Sequence, residues 1–63
     1  MYNENLEKEL SEQIGVLLHT AQGKEKNELE DMLVHRVPEA CTDEEELKLV
    51  RQRIEQLTIL IYE

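Results

Sequence analysis

Apolar positions recur along this chain at three- and four-residue steps, and three segments carry the pattern. In the first, Leu6, Leu10, Ile14, Leu17, Leu18 and Ala21 share one face, with Glu7, Lys8, Glu9 and Glu12 on the other. That spacing predicts an amphipathic helix over residues 4–22. Asn3 or Asn5 is suited to cap its start and Gly23 to end it. Gly15 lies inside it, where a glycine costs about 1 kcal/mol relative to Ala. It reads either as a tolerated weakness or as a place where a neighbouring helix comes close.

A second helix is expected over 28–37, opening at Asn27 with Glu30 in an N-x-x-E variant of the capping box. Leu29, Met32, Leu33 and Val37 form its apolar side. Pro38 is expected to end it, since proline has no N–H and pushes the preceding residue out of the helical region. The third helix, over 43–62, has the clearest signals. Thr42 and Glu45 form a T-x-x-E capping box, and Asp43, Glu44 and Glu45 fill the first turn, where the helix dipole favours negative charge. Leu47, Val50, Ile54, Leu57 and Ile61 then step by 3, 4, 3 and 4, a short heptad seam. Glu44–Lys48 and Arg51–Glu55 are opposite charges at i, i+4 on the exposed side. The join "VPEACTDEEELK" (37–48) thus reads as stop, short turn, start.

Near the end, "LTILIY" is apolar on nearly every side. A small helical layer cannot cover all of it, so Leu47, Val50, Ile54, Leu57, Leu60 and Ile61 are the expected core and interaction surface. Length strengthens this expectation. Sixty-three residues make one domain at most, 1–63, and single cores below about 70–80 residues rarely supply more than ~3–5 kcal/mol. One cysteine cannot form an internal disulfide. Self-association is the remaining support, so the expected fold is an all-α, three-helix domain paired as a homodimer.

The charge narrows the partners. Fifteen acids against seven Lys and Arg give a net −8, which disfavours direct nucleic-acid binding and anionic membranes and favours a protein partner with a basic surface. No stretch approaches the eighteen apolar residues a membrane span needs. The N-terminus "MYNENLEKEL" lacks the basic and apolar regions of a signal peptide. With one thiol besides, a cytoplasmic setting is expected.

Candidate chemistry adds little. Cys41 precedes a helix start, which favours thiolate, but its acidic neighbours oppose this; it reads as a small turn residue. His19 and His35 lack the short, regular spacing of metal ligands. They read as a stripe-edge residue and a helix C-terminal residue. The acids at 43–46 are contiguous and helical rather than alternating around a glycine as a calcium loop requires. Arg36, Lys48, Arg51 and Arg53 are interspersed with Glu, giving a mixed-charge surface rather than a basic patch. No catalytic, cofactor or metal residues are assigned, and no enzyme activity is expected.

The segments "EQIGVLLHTAQGK" (12–24), "LEDMLVHRV" (29–37) and "TDEEELKLVRQRIEQL" (42–57) resemble the small enterobacterial two-component connector family that includes AriR/YmgB and YcgZ. Pro38 and the shorter first turn depart from that pattern. The resemblance implies a bacterial dimeric helical regulator in stress and biofilm signalling, acting by contact with a sensor or response regulator. "NLEKEL" and "IEQLTILIYE" are similar to small type III secretion chaperones, which implies shielding of a secretion component. A third class is a DNA mimic, an anti-repressor type inhibitor whose acidic surface occupies a DNA-binding protein.

Overall fold

The computed structural model describes all residues, 1–63, as helices and turns with no strand. Helix α1 spans Glu4–Leu18, α2 Gly23–Asp31, a π-helical turn Met32–Arg36, α3 Val37–Ala40, and α4 Glu44–Tyr62. The segments from Gly23 to Ala40 follow one another without a break, so the chain folds as three rods. Glu9 pairs with Arg51, and Glu28 and Arg36 pair with Arg53 and Glu46. The middle rod is therefore antiparallel to α4. The Asn3 N–H donates to the Cys41 carbonyl at 3.2 Å, setting the start of α1 beside the end of the middle rod, and Thr20 and Ala21 lie with Leu60 and Ile61 at the other end, so α1 and α4 run in the same direction.

Three faces meet in the core. Leu10, Ile14, Leu17 and Ala21 come from α1 and the turn after it; Leu29, Met32, Val37, Ala40 and Cys41 from the middle rod; Val50, Ile54 and Leu57 from α4. No polar or charged side chain is buried. Leu6, Leu18, Leu33, Leu47 and Ile61 pack half-buried around this cluster. The all-α fold and its three apolar stripes are those the periodicity predicts.

The boundaries differ in instructive ways. α1 starts where expected: the Asn3 carboxamide oxygen accepts from the Leu6 N–H at 3.0 Å. It ends early, at Leu18, because the Leu17 carbonyl accepts from both Thr20 and Ala21 (3.1 and 2.9 Å) and closes the helix into a turn. Gly23, at φ +62°, does not end α1 but opens α2. A left-handed backbone there favours glycine, which has no Cβ to strain it. The middle rod consequently starts well before Asn27, which sits within α2, and the expected N-x-x-E box does not form.

Pro38 does not stop the helix. The Val37 N–H donates to the Met32 carbonyl, five residues back, and Pro38 follows at the first turn of α3. There its missing N–H is tolerated. One inserted residue also rotates the rest of the rod by about 100° relative to a plain α-helix. In a plain helix Val37, Ala40 and Cys41 would drift away from the line of Leu29 and Met32. With the π turn all five are buried together.

Thr42 is likewise not the cap of α4. Asp43 takes that position, its carboxylate accepting from the Glu45 N–H at 2.9 Å, while the Thr42 hydroxyl donates to the Glu39 carbonyl at 3.1 Å and closes α3. Cys41 is a core residue rather than a plain turn residue. Neither histidine takes its expected role. His19 holds the C-cap of α1, while His35 lies mid-rod, 3.8 Å from Asp31.

Gly15 has no neighbour within 4 Å of where a Cβ would lie, so it is not a point of close helix approach. Gly15→Ala is expected to stabilise the protein by about 0.4–1 kcal/mol, through helix propensity and a less flexible unfolded chain. That raises the melting temperature by a few degrees, roughly 4–8 °C per kcal/mol at this size, read by circular dichroism.

Candidate functional site: the uncovered side of α4

In an arrangement of three rods, α4 faces α1 on one side and the middle rod on another, and its third side meets nothing. Where that side is polar this costs little. In "LTILIY" it leaves Ile59, Leu60 and Tyr62 at 52, 57 and 57 % exposure. Ile61, one position away, tucks half-buried against the core. Of the six residues expected as the interaction surface, Val50, Ile54 and Leu57 lie in the core, Leu47 and Ile61 at its margin, and Leu60 alone in solvent. The accessible apolar surface therefore falls one helix step away from the heptad seam.

Beside this tail a groove of about 440 Å³ runs between α1 and α4. Leu17 and Ile54 form its floor, with Val16 and Gln13 on the α1 wall and Glu55, Thr58 and Tyr62 on the α4 wall. The Thr58 hydroxyl donates to the Ile54 carbonyl of its own helix at 2.7 Å. That hydrogen bond satisfies the wall's only hydroxyl short of Tyr62 and leaves the methyl as its contribution. Val16 is 60 % exposed. It lies beside the α1 core stripe, so the periodicity that identifies Leu17 passes over it. The width of the apolar run "GVLL" was the available signal.

All three arginines are spent on acids from other elements. Arg36 donates twice to Glu46 (2.9 and 2.7 Å). Arg53 forks onto Glu28, with the Nη2 bond at 2.8 Å. Arg51 meets Glu9 at 2.8 Å across the upper end of the groove, rather than the Glu55 expected from its own helix. Glu44 and Lys48 form no ion pair either. The cationic groups best suited to gripping phosphate are thus engaged, and acids dominate what remains.

The hydrogen bonds from Arg53 hold the Glu28 carboxyl below its ordinary value of 4.5, partly opposed by desolvation. Folding therefore favours the carboxylate. The contribution of this pair is complete above the unfolded value and lost as pH falls through the lower folded one. Both side chains are about a third exposed, which keeps the effect modest. Glu28→Gln is expected to lower the melting temperature at neutral pH and to have progressively less effect below about pH 4.5. A series of thermal melts against pH reads this directly. Tyr2 is raised above its usual range, chiefly by its hydrogen bond to Glu7, and stays protonated at neutral pH.

No three His, Cys, Asp or Glu side chains converge to hold a metal ion, and no helix is long and apolar enough to cross a membrane. The site is thus an apolar helix tail and an adjoining groove on a small, acidic all-α domain. No known protein family, curated protein or solved structure matches the chain.

Proposed function

We propose that this protein is a binding module, a small acidic regulator or adaptor that acts in the cytoplasm by docking helix surfaces onto other proteins rather than by catalysis. The observation that carries the reading is the exposure of Ile59, Leu60 and Tyr62 together at the end of α4, a helix on which Leu49 is the only other large apolar residue left exposed. Fully burying a large aliphatic side chain is worth about 1.5–3 kcal/mol, so a cover for this tail has a clear driving force. The proposed cover is a second copy of the chain, giving a homodimer through the outer side of α4. The acidic surface then orients the assembly toward a basic partner. A role as a connector in bacterial stress signalling, in contact with a sensor or response regulator, is the specific form we favour. It rests on the resemblance of residues 12–24, 29–37 and 42–57.

The test is a paired one. Glu substitution of exposed Leu60 should abolish self-association while circular dichroism stays helical. Lys substitution of surface acids away from the tail should leave self-association intact and weaken contact with a basic partner. Were self-association insensitive to Leu60, the tail would not be the docking surface.

A further inference from the structure

We infer that Pro38 is a register lock on the middle rod: it bars the plain α-helical continuation through Met32–Arg36 and so keeps Val37, Ala40 and Cys41 in the core. This holds whatever covers the α4 tail. The core positions Leu29, Met32, Val37 and Ala40 step by three, five and three, while Val50, Ile54 and Leu57 of α4 step by four and three. One residue fewer between Met32 and Val37 would give three, four and three, the spacing of a regular helix stripe. The rod is thus a regular helix with one residue inserted.

That residue can be placed. Within the turn, Leu33 packs half-buried against the core, Arg36 bonds Glu46 of α4, and His35 lies 3.8 Å from Asp31. Val34 is 64 % exposed and belongs to neither the core nor an ion pair. The Val37 N–H donates to the Met32 carbonyl. With Val34 removed, that same bond becomes the ordinary α-helical one, four residues back.

Two registers compete in the chain as it stands. In the plain helix the Val37 N–H would take the Leu33 carbonyl, and everything after it would turn by about 100°. Arg36 and Glu39, seven and ten residues after Leu29, would then point where Val37 and Ala40 now lie. A core does not take two unpaired charges, so in that register the end of the rod has to leave it. Proline disfavours this detached helix more than the packed rod. In a plain helix its ring meets the carbonyl four residues back, that of Val34, and it withholds a hydrogen bond. Here it stands in the first turn of α3, where its lack of an N–H is tolerated.

Cys41 reports on the lock. It is the chain's single cysteine and is buried, so a thiol reagent reaches it only when the rod end lifts or the whole chain unfolds. Labelling of the full chain with a chromogenic disulfide reagent measures both routes, and urea melts of the same variants give the share due to global unfolding. Pro38→Ala should label about tenfold or more faster than its global unfolding accounts for. Removing Val34 as well should restore slow labelling and raise the melting temperature several degrees above that of Pro38→Ala. Removing Val34 alone leaves Pro38 inside a closed helix and should lower the melting temperature by about ten degrees or more.

Labelling of Pro38→Ala no faster than its global unfolding predicts would overturn the inference. So would a doubly changed chain that fails to fold or labels as fast as Pro38→Ala. Equal tolerance of Val34 removal with and without Pro38 would also overturn it, since the proline and the turn would then act independently.

Discussion

Leu57→Ala is expected to unfold a large share of the protein at 25 °C. Leu57 is 0 % exposed and sits where α4 meets the rest of the core. Removing a fully buried Leu side chain costs about 2–5 kcal/mol, depending on how far the site collapses. A domain this small holds about 3–5 kcal/mol in total. The two ranges overlap, so the variant should show a much reduced or absent cooperative transition in urea, with helical ellipticity already lost in buffer. Leu57→Met keeps most of the volume and should cost less than about 1.5 kcal/mol. A loss under about 1 kcal/mol for the Ala variant would mean that α4 is not packed as described. The same reasoning bears on Ile54, which is also buried. A polar residue there would unfold the chain and so report nothing about partner binding.

The second large effect concerns self-association. Ile59→Glu and Leu60→Glu remove apolar surface from positions that the single chain leaves exposed, so the folded monomer should be nearly unaffected. In a two-fold symmetric dimer each substitution acts twice. With only about half of each side chain still exposed, its burial is worth about 0.8–1.5 kcal/mol, so one substitution acting twice should weaken dimerisation by roughly ten- to two-hundredfold. The added charge acts in the same direction, since each chain already carries −8. Sedimentation across micromolar concentrations separates the two contributions. High salt should restore the electrostatic part and leave the apolar part missing.

The parts of this fold that were legible in the sequence are those in which one physical period governs a long segment. The stripes of α1 and α4 follow directly from Leu10–Ile14–Leu17 and Val50–Ile54–Leu57. The middle rod was harder, because its core residues Leu29, Met32, Val37 and Ala40 are spaced by three, five and three. A five-residue step belongs to no regular α-helix. With proline next to it, local rules favour a stop, and only packing of Val37 and Ala40 into the core supports continuation through a π turn. The cap of α4 was a contest between adjacent good candidates. Thr42 lost it because the Glu39 carbonyl, set in place by that same continuation, takes its hydroxyl.

The site was legible in outline and displaced in detail. The excess of apolar surface in "LTILIY" is visible from composition alone. Which residues stay in solvent depends on the angle at which α1 and the middle rod flank α4. The heptad seam turns inward, and Ile59, Leu60 and Tyr62 are left outside. The groove needs Val16 and Tyr62, which are far apart in sequence and lie off both core stripes, so no single-helix pattern could pair them. Nor does sequence spacing show that Arg51 would choose Glu9 over Glu55.

The account turns on the α4 tail being covered by another surface, and the mass of the protein in solution tests this most directly. Sedimentation equilibrium at micromolar concentration should give twice the mass of the single chain, with a dimer that tightens as salt screens the charge of its two subunits. A folded species of single-chain mass at both low and high salt would contradict it.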